Sequence, residues 1–313
     1  MTRTRCLRAI AASIALAATL PAIAQSDSAQ PAARRFERLR QALPGGLDDG
    51  ADSTRQARVA DGVRRVAYIS YGPDKAQRFD VYVSTRPPAS LAPAPVIFFV
   101  HGGAWAFGDK SNHQVIEPKV AHWVEQGYIV ISTNYRMLPT PVAQQADDVA
   151  AAIASAQSQA GLWGADPQRF VLMGHSAGAH LVALIAAGAH TATRPLPWRG
   201  TVLLDSAALD VPMIMNHRHL GLYDRAFGAD PRQWDAVSPI AQLGRGTAPM
   251  LAVCSSRRKE SCPTSDRFTA QANGLGGRVR VLREDLSHGE INASLGAPSD
   301  YTTQVDAFLQ SVR

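Results

Sequence analysis

The apolar residues fall into short blocks separated by turn signals. Val63–Ser70 and Arg78–Ser84 read as two strands joined by the turn signal Gly72-Pro73-Asp74. A Pro-rich connector, Pro87 to Pro95, leads to Val96–Val100. That run, Val-Ile-Phe-Phe-Val, is continuously apolar and suits a central parallel strand covered on both faces. From here the pattern alternates. The helical candidates are Val115 to Gln126, Val142 to Gln159, Ala177 to about Ala187, Ser265 to Asn273 and Thr302 to Val312. The strand candidates between them are Tyr128–Ser132, Arg169–Met173, Thr201–Leu204, Met250–Val253 and Arg278–Leu282.

Strands alternating with helices predict an α/β protein with a mostly parallel central sheet and helices on both faces. The two leading strands predict an antiparallel N-terminal edge. No internal repeat is visible, so residues 59–313 read as one domain. Asp210 to Arg245 has the weakest periodicity and falls between two strands. It suits a small cap or substrate-binding insertion, or a plain surface loop, and is too short for a large lid domain.

The first 58 residues read differently. Arg3, Arg5 and Arg8 precede a short apolar run, Ala9 to Leu20, and Ala22-Ile23-Ala24 is an A-x-A cleavage signal. Residues 1–24 are therefore expected to be a signal peptide, and 25–58 a mobile lead-in. Removing the signal takes away three arginines and no acid, so the formal charge falls from +6 to +3. That bias is too weak to argue for nucleic acid. No later stretch is apolar enough to span a bilayer. Export, periplasmic or extracellular, also bears on Cys254 and Cys262, which read as a disulfide in an oxidising compartment.

Chemistry enters at Gly174-His175-Ser176-Ala177-Gly178. A bare Gly-x-Ser-x-Gly arises by chance in roughly one 300-residue chain in ten. With an apolar strand before it and an Ala-rich helix after it, the motif reads as a nucleophile elbow with Ser176 at the bend. A serine needs a base, a group to orient that base, and donors for the oxyanion. Gly103, Ala104 and Ala177 are the candidate oxyanion donors, the first two from the loop His101-Gly102-Gly103-Ala104-Trp105 after the central strand. His288, in the loop after the last strand, is the candidate base. His175 and His180 flank the elbow too tightly to reach around to Ser176. The acid is expected after Met250–Val253, where Glu260 is the carboxylate in the loop; Asp266 and Asp285 are the alternatives. Trp105, Phe107, Met213 and Tyr223 are candidate substrate-binding residues, with core packing as the other reading of each.

These motifs resemble the α/β-hydrolase superfamily, in particular the small esterases related to kynurenine formamidase (arylformamidase) and to bacterial feruloyl-type esterases. The carrying residues are His101 to Trp105 with Gly108 and Lys110, then Gly174 to Leu181, then Ser287-His288-Gly289. The resemblance covers Val63 to the C-terminus and implies a Ser-acid-His triad with no metal or organic cofactor. Glu260 stands where the family usually has aspartate. An export signal argues against the intracellular formamidases and towards an exported carboxylesterase of short-chain or aryl esters. An amidase, formamidase or peptidase is the alternative enzyme, and a non-catalytic binding module the alternative from another class. The partner implied is a small-molecule ester. The sequence leaves oligomeric state open.

Overall fold

The computed structural model describes residues 59–86, 92–206 and 208–313. The expected signal peptide and lead-in, residues 1–24 and 25–58, lie outside the described residues. Eight strands form one sheet in the order β1-β2-β4-β3-β5-β6-β7-β8. They are β1 (Val63–Ser70), β2 (Arg78–Ser84), β3 (Ala94–Val100), β4 (Ile129–Thr133), β5 (Ala165–His175), β6 (Gly200–Leu204), β7 (Met250–Ser255) and β8 (Val279–Glu284). β1 pairs antiparallel with β2, and β2 antiparallel with β4. Every other pairing is parallel. The expected mostly parallel sheet with an antiparallel N-terminal edge is what the chain forms.

The continuous apolar runs serve both faces because side chains alternate along a strand. Val96, Phe98 and Val100 of β3, with Phe170 and Leu172 of β5, enter one core. There they meet α2 (Val142–Gln159) and α3 (Ala177–Ala187). Ile97 and Phe99, with Val171 and Met173, enter the other core. That core is closed by α1 (His113–Glu125) and α10 (Asp300–Ser311). Trp123 of α1 is fully buried and donates from Nε1 to Asp306 Oδ1 of α10 at 2.8 Å, so these helices are pinned as well as packed.

The weakly periodic insertion forms short helices: α4 (Val211–Met215), α5 (Gly221–Phe227), α6 (Pro231–Trp234) and α7 (Pro239–Gln242). Asp210 caps α4 by accepting from the Met213 amide at 3.1 Å. After β7 comes α8 (Ser261–Gly274), which starts four residues earlier than the apolar pattern indicates. Cys254 at the end of β7 is bonded to Cys262 in the first turn of α8, with Cα atoms 5.1 Å apart. The bond closes an eight-residue separation around the β7–α8 loop. Closing so short a loop restricts the unfolded chain. Replacing both cysteines by serine is expected to lower unfolding stability by about 2–3 kcal/mol, read from the urea midpoint of the oxidised protein. An unchanged midpoint would contradict this.

Candidate active site

The elbow is built by close approach of backbone. Ser176 sits at φ 54°, ψ −117°, a left-handed conformation that non-glycine residues rarely hold. A Cβ at Gly174 would lie 2.4 Å from Gly178 O, and one at Gly178 would lie 2.2 Å from Val100 O. Both positions therefore exclude any side chain, and the first turn of α3 presses against the end of β3. The Ser176 amide donates to Leu204 O at 2.9 Å, which ties the bend to the end of β6.

His288 reaches the same point from the far side of the sheet. It opens α9 (His288–Ala293), a short helix where the sequence suggests a loop. Ser287 and Glu290 form a capping box: the Ser287 amide donates to Glu290 Oε2 at 2.7 Å, and the Glu290 amide donates to Ser287 Oγ at 3.3 Å. This fixes the first residue of the helix. Ser176 Oγ lies 2.9 Å from His288 Nε2. On the other side of the ring, His288 Nδ1 lies 2.6 Å from Asp205 Oδ2. Facing a carboxylate, Nδ1 carries the hydrogen, which leaves Nε2 to accept from the serine hydroxyl.

The acid expectation is corrected here. Asp205, the residue after β6, faces His288; Glu260 does not. Glu260 is exposed at the N-cap of α8, its carbonyl taken by the Thr264 amide. Asp266 pairs with Arg283 at 2.7 Å, and Asp285 with Arg257 at 2.9 Å. The physical reason lies in sheet order. β6 is the direct neighbour of β5, so the residue leaving β6 emerges beside the elbow. The β7–α8 loop instead brings donors. Asp205 Oδ1 accepts from the Ser255 amide at 2.9 Å and from Ser261 Oγ, and Oδ2 accepts from Arg258 Nη1 at 2.6 Å. Burial opposes the charge on Asp205. The hydrogen bond from His288, the Arg258 charge and the Ser261 hydroxyl outweigh it, and hold the carboxyl well below the usual carboxylate range.

Burial also pushes the His288 imidazole below its ordinary value. His175 and Arg258 add to this, and Asp205 opposes it. His175 Nε2 donates to the His288 carbonyl at 3.0 Å, and its ring packs 4.5 Å from that of His288.

The loop after β3 holds three successive left-handed residues, Gly103 (φ 115°), Ala104 (φ 49°) and Trp105 (φ 59°). Its far end is anchored where the Lys110 ammonium meets Asp80 of β2 at 3.1 Å and the Lys110 amide donates to Asn134 Oδ1 at 2.6 Å. Trp105 is only 3% exposed, so it backs the wall of the site rather than forming its surface. Its indole Nε1 donates to His180 Nδ1 at 3.2 Å, and His180 Nε2 donates to Val237 O at 2.8 Å. Burial lowers the His180 pKa to about 4, so at neutral pH the ring is uncharged and bridges loop to insertion. Tyr223 and Phe227 of α5 stack 6.1 Å apart against Trp105. Phe107, Met213 and Tyr223 are half-buried, and Met213 is met by the Arg267 guanidinium.

A strand-to-helix serine elbow on a sheet of this order, with histidine after β8, defines the fold. The BD-FAE family model matches residues 79–210. Esterase B from Lactobacillus rhamnosis superposes with a TM-score of 0.67 at 17% identity, covering 91% of each chain; at that identity the likeness is one of fold. The chain has the α/β-hydrolase fold. Esterase LipC of Mycobacterium tuberculosis is 35% identical over 60% of this chain and 50% of its own length. A probable isoprenylcysteine alpha-carbonyl methylesterase of Oryza sativa is 30% identical over 51% of this chain and 39% of its own. The chain thus spans half or less of these two relatives. These comparisons concern esterases, and the likeness to kynurenine formamidase is not shown by them. Among the described residues no helix is long and apolar enough to cross a membrane.

Proposed function

We propose that this α/β-hydrolase is an exported serine carboxylesterase of short-chain or aryl esters. The observation that carries the reading is the unbroken chain of hydrogen bonds from Ser176 through His288 to Asp205. Ser176 Oγ attacks the ester carbonyl carbon while its proton passes to His288 Nε2. Asp205 holds the ring and stabilises the imidazolium. The amides of Ala177, at the start of α3, and of Gly103 and Ala104 receive the developing oxyanion. The C–O bond breaks as His288 returns the proton to the leaving alcohol. Water, deprotonated by the same nitrogen, then releases the acid from the acyl-enzyme.

Short-chain or aryl esters suit a site whose Trp105 wall is packed by a small helix of the 210–245 insertion. Export is favoured by the basic and apolar leader and agrees with an oxidised Cys254–Cys262 pair. A panel of p-nitrophenyl esters from acetate to palmitate, with N-formylkynurenine and a peptide anilide alongside, tests the substrate class. kcat/KM is expected to peak at two to about four acyl carbons. Turnover confined to the amides would sink the ester reading.

Gly103 tests the oxyanion loop. A Cβ there would fall 1.9 Å from Phe107 O at a φ that L-residues avoid. Gly103→Ala is expected to lower kcat by about 10²–10³ with the fold retained, the cost of misplacing a donor. Unchanged kcat in the folded variant would remove this loop from the oxyanion site.

A further inference from the structure

The β7–α8 loop supplies no carboxylate to His288, yet it and its flanking residues surround Asp205 with donors. Three residues inside the Cys254–Cys262 bridge, Ser255, Arg258 and Ser261, all donate to the Asp205 carboxylate. Ser255 Oγ also donates to Leu286 O at 2.6 Å, which ties the loop to the segment that carries His288. Arg258 differs from the two serines because it meets both partners of the pair. Its Nη1 lies 2.6 Å from Asp205 Oδ2 and 2.9 Å from His288 Nδ1. Nδ1 already donates to Asp205, so it has no lone pair for the guanidinium. The 2.9 Å contact is one of two donors sharing an acceptor, and it becomes cation against cation once the imidazole is protonated.

We propose that Arg258 is a positioning residue that fixes the Asp205 carboxylate and extends the working range of His288 to lower pH. The inference rests on the serine-esterase reading. Two effects act together. The guanidinium holds Asp205 in place and ionised, and its positive charge disfavours the resting imidazolium. His288 must be neutral to accept the Ser176 proton. Anything that disfavours its protonated form moves the acid limb of kcat/KM downward.

The other groups around the pair come from several elements. His175 of β5 packs against the His288 ring and also disfavours its charge. Tyr223 of α5 and Glu260 of the β7–α8 loop act on Arg258 and favour its charged form. Tyr301 of α10, buried behind α9, feels the Asp205 charge. None of these lies between Arg258 and the two atoms that it contacts.

The test is the pH profile of p-nitrophenyl acetate hydrolysis for wild type, Arg258→Gln and Arg258→Lys. Removing the charge in Arg258→Gln is expected to move the acid limb of kcat/KM upward by about one pH unit. kcat at the plateau should fall about tenfold with KM little changed. Arg258→Lys keeps the charge and loses the rigid guanidinium that sets Nη1 on Asp205, so its acid limb should stay with wild type while kcat falls. A folded Arg258→Gln with an unmoved acid limb overturns the proposal. If that variant fails to fold, an acid limb displaced upward in Arg258→Lys overturns it equally. The esterase reading fails separately, through wild type that turns over none of the esters.

Discussion

Asp205→Asn is expected to lower turnover of p-nitrophenyl acetate about 10⁴-fold, whereas Glu260→Gln stays within about threefold of wild type. The asymmetry follows from placement. Asp205 is fully buried, 2.6 Å from His288 Nδ1, and accepts from four groups. An amide there puts either a neutral oxygen or an NH₂ group against Nδ1. The second choice drives the imidazole hydrogen to Nε2, where it blocks proton transfer from Ser176. Either choice removes the counter-charge for the imidazolium and leaves Arg258 facing His288 uncompensated. Glu260 sits exposed at a helix N-cap, where losing its charge is a surface change. Circular dichroism and a thermal melt on both variants separate catalytic loss from unfolding. A result with the two roles exchanged would return the acid to the β7–α8 loop.

Ser176→Ala is expected to lower turnover about 10⁶-fold, with substrate binding little affected. The hydroxyl is the only group of the triad that forms a bond to substrate. Loss of one oxygen leaves the buried pair of His288 and Asp205 hydrogen-bonded as before. The elbow itself is held by Gly174, Gly178 and the Ser176 amide, none of which the change touches. The fold should therefore survive, and alanine at φ 54° costs no more backbone strain than serine does. A residual rate within 10²-fold of wild type would mean that another nucleophile carries the reaction.

Most of this architecture is legible along the chain because its signals are local. Val96–Val100 announces a strand covered on both faces, and the observed alternation of Ile97 and Phe99 against Phe98 and Val100 is what such a run requires. The elbow is likewise a local contest between backbone and side chain, decided by two glycines. His288 is found by position after the last strand.

Asp205 is not legible along the chain, because nothing next to it distinguishes it. It is a single aspartate after a five-residue strand, and its importance comes from β6 lying beside β5, a fact of sheet order. One signal did exist in the sequence. The loop expected to hold the acid reads Arg257-Arg258-Lys259 before its lone glutamate. A run of cations suits the counter-ion of a carboxylate arriving from elsewhere better than it suits the carboxylate itself. The choice between the two readings of Trp105 is not local either. Whether an aromatic faces the cavity or backs its wall depends on α5, which packs over it from 118 residues later in the chain.

The most direct measurement is peptide mapping by mass spectrometry after treatment with a fluorophosphonate. One adduct is expected, on Ser176, formed in wild type, absent from Ser176→Ala and greatly slowed in Asp205→Asn. An adduct on any other residue, or equal labelling of Ser176 with Asp205 replaced, would contradict this.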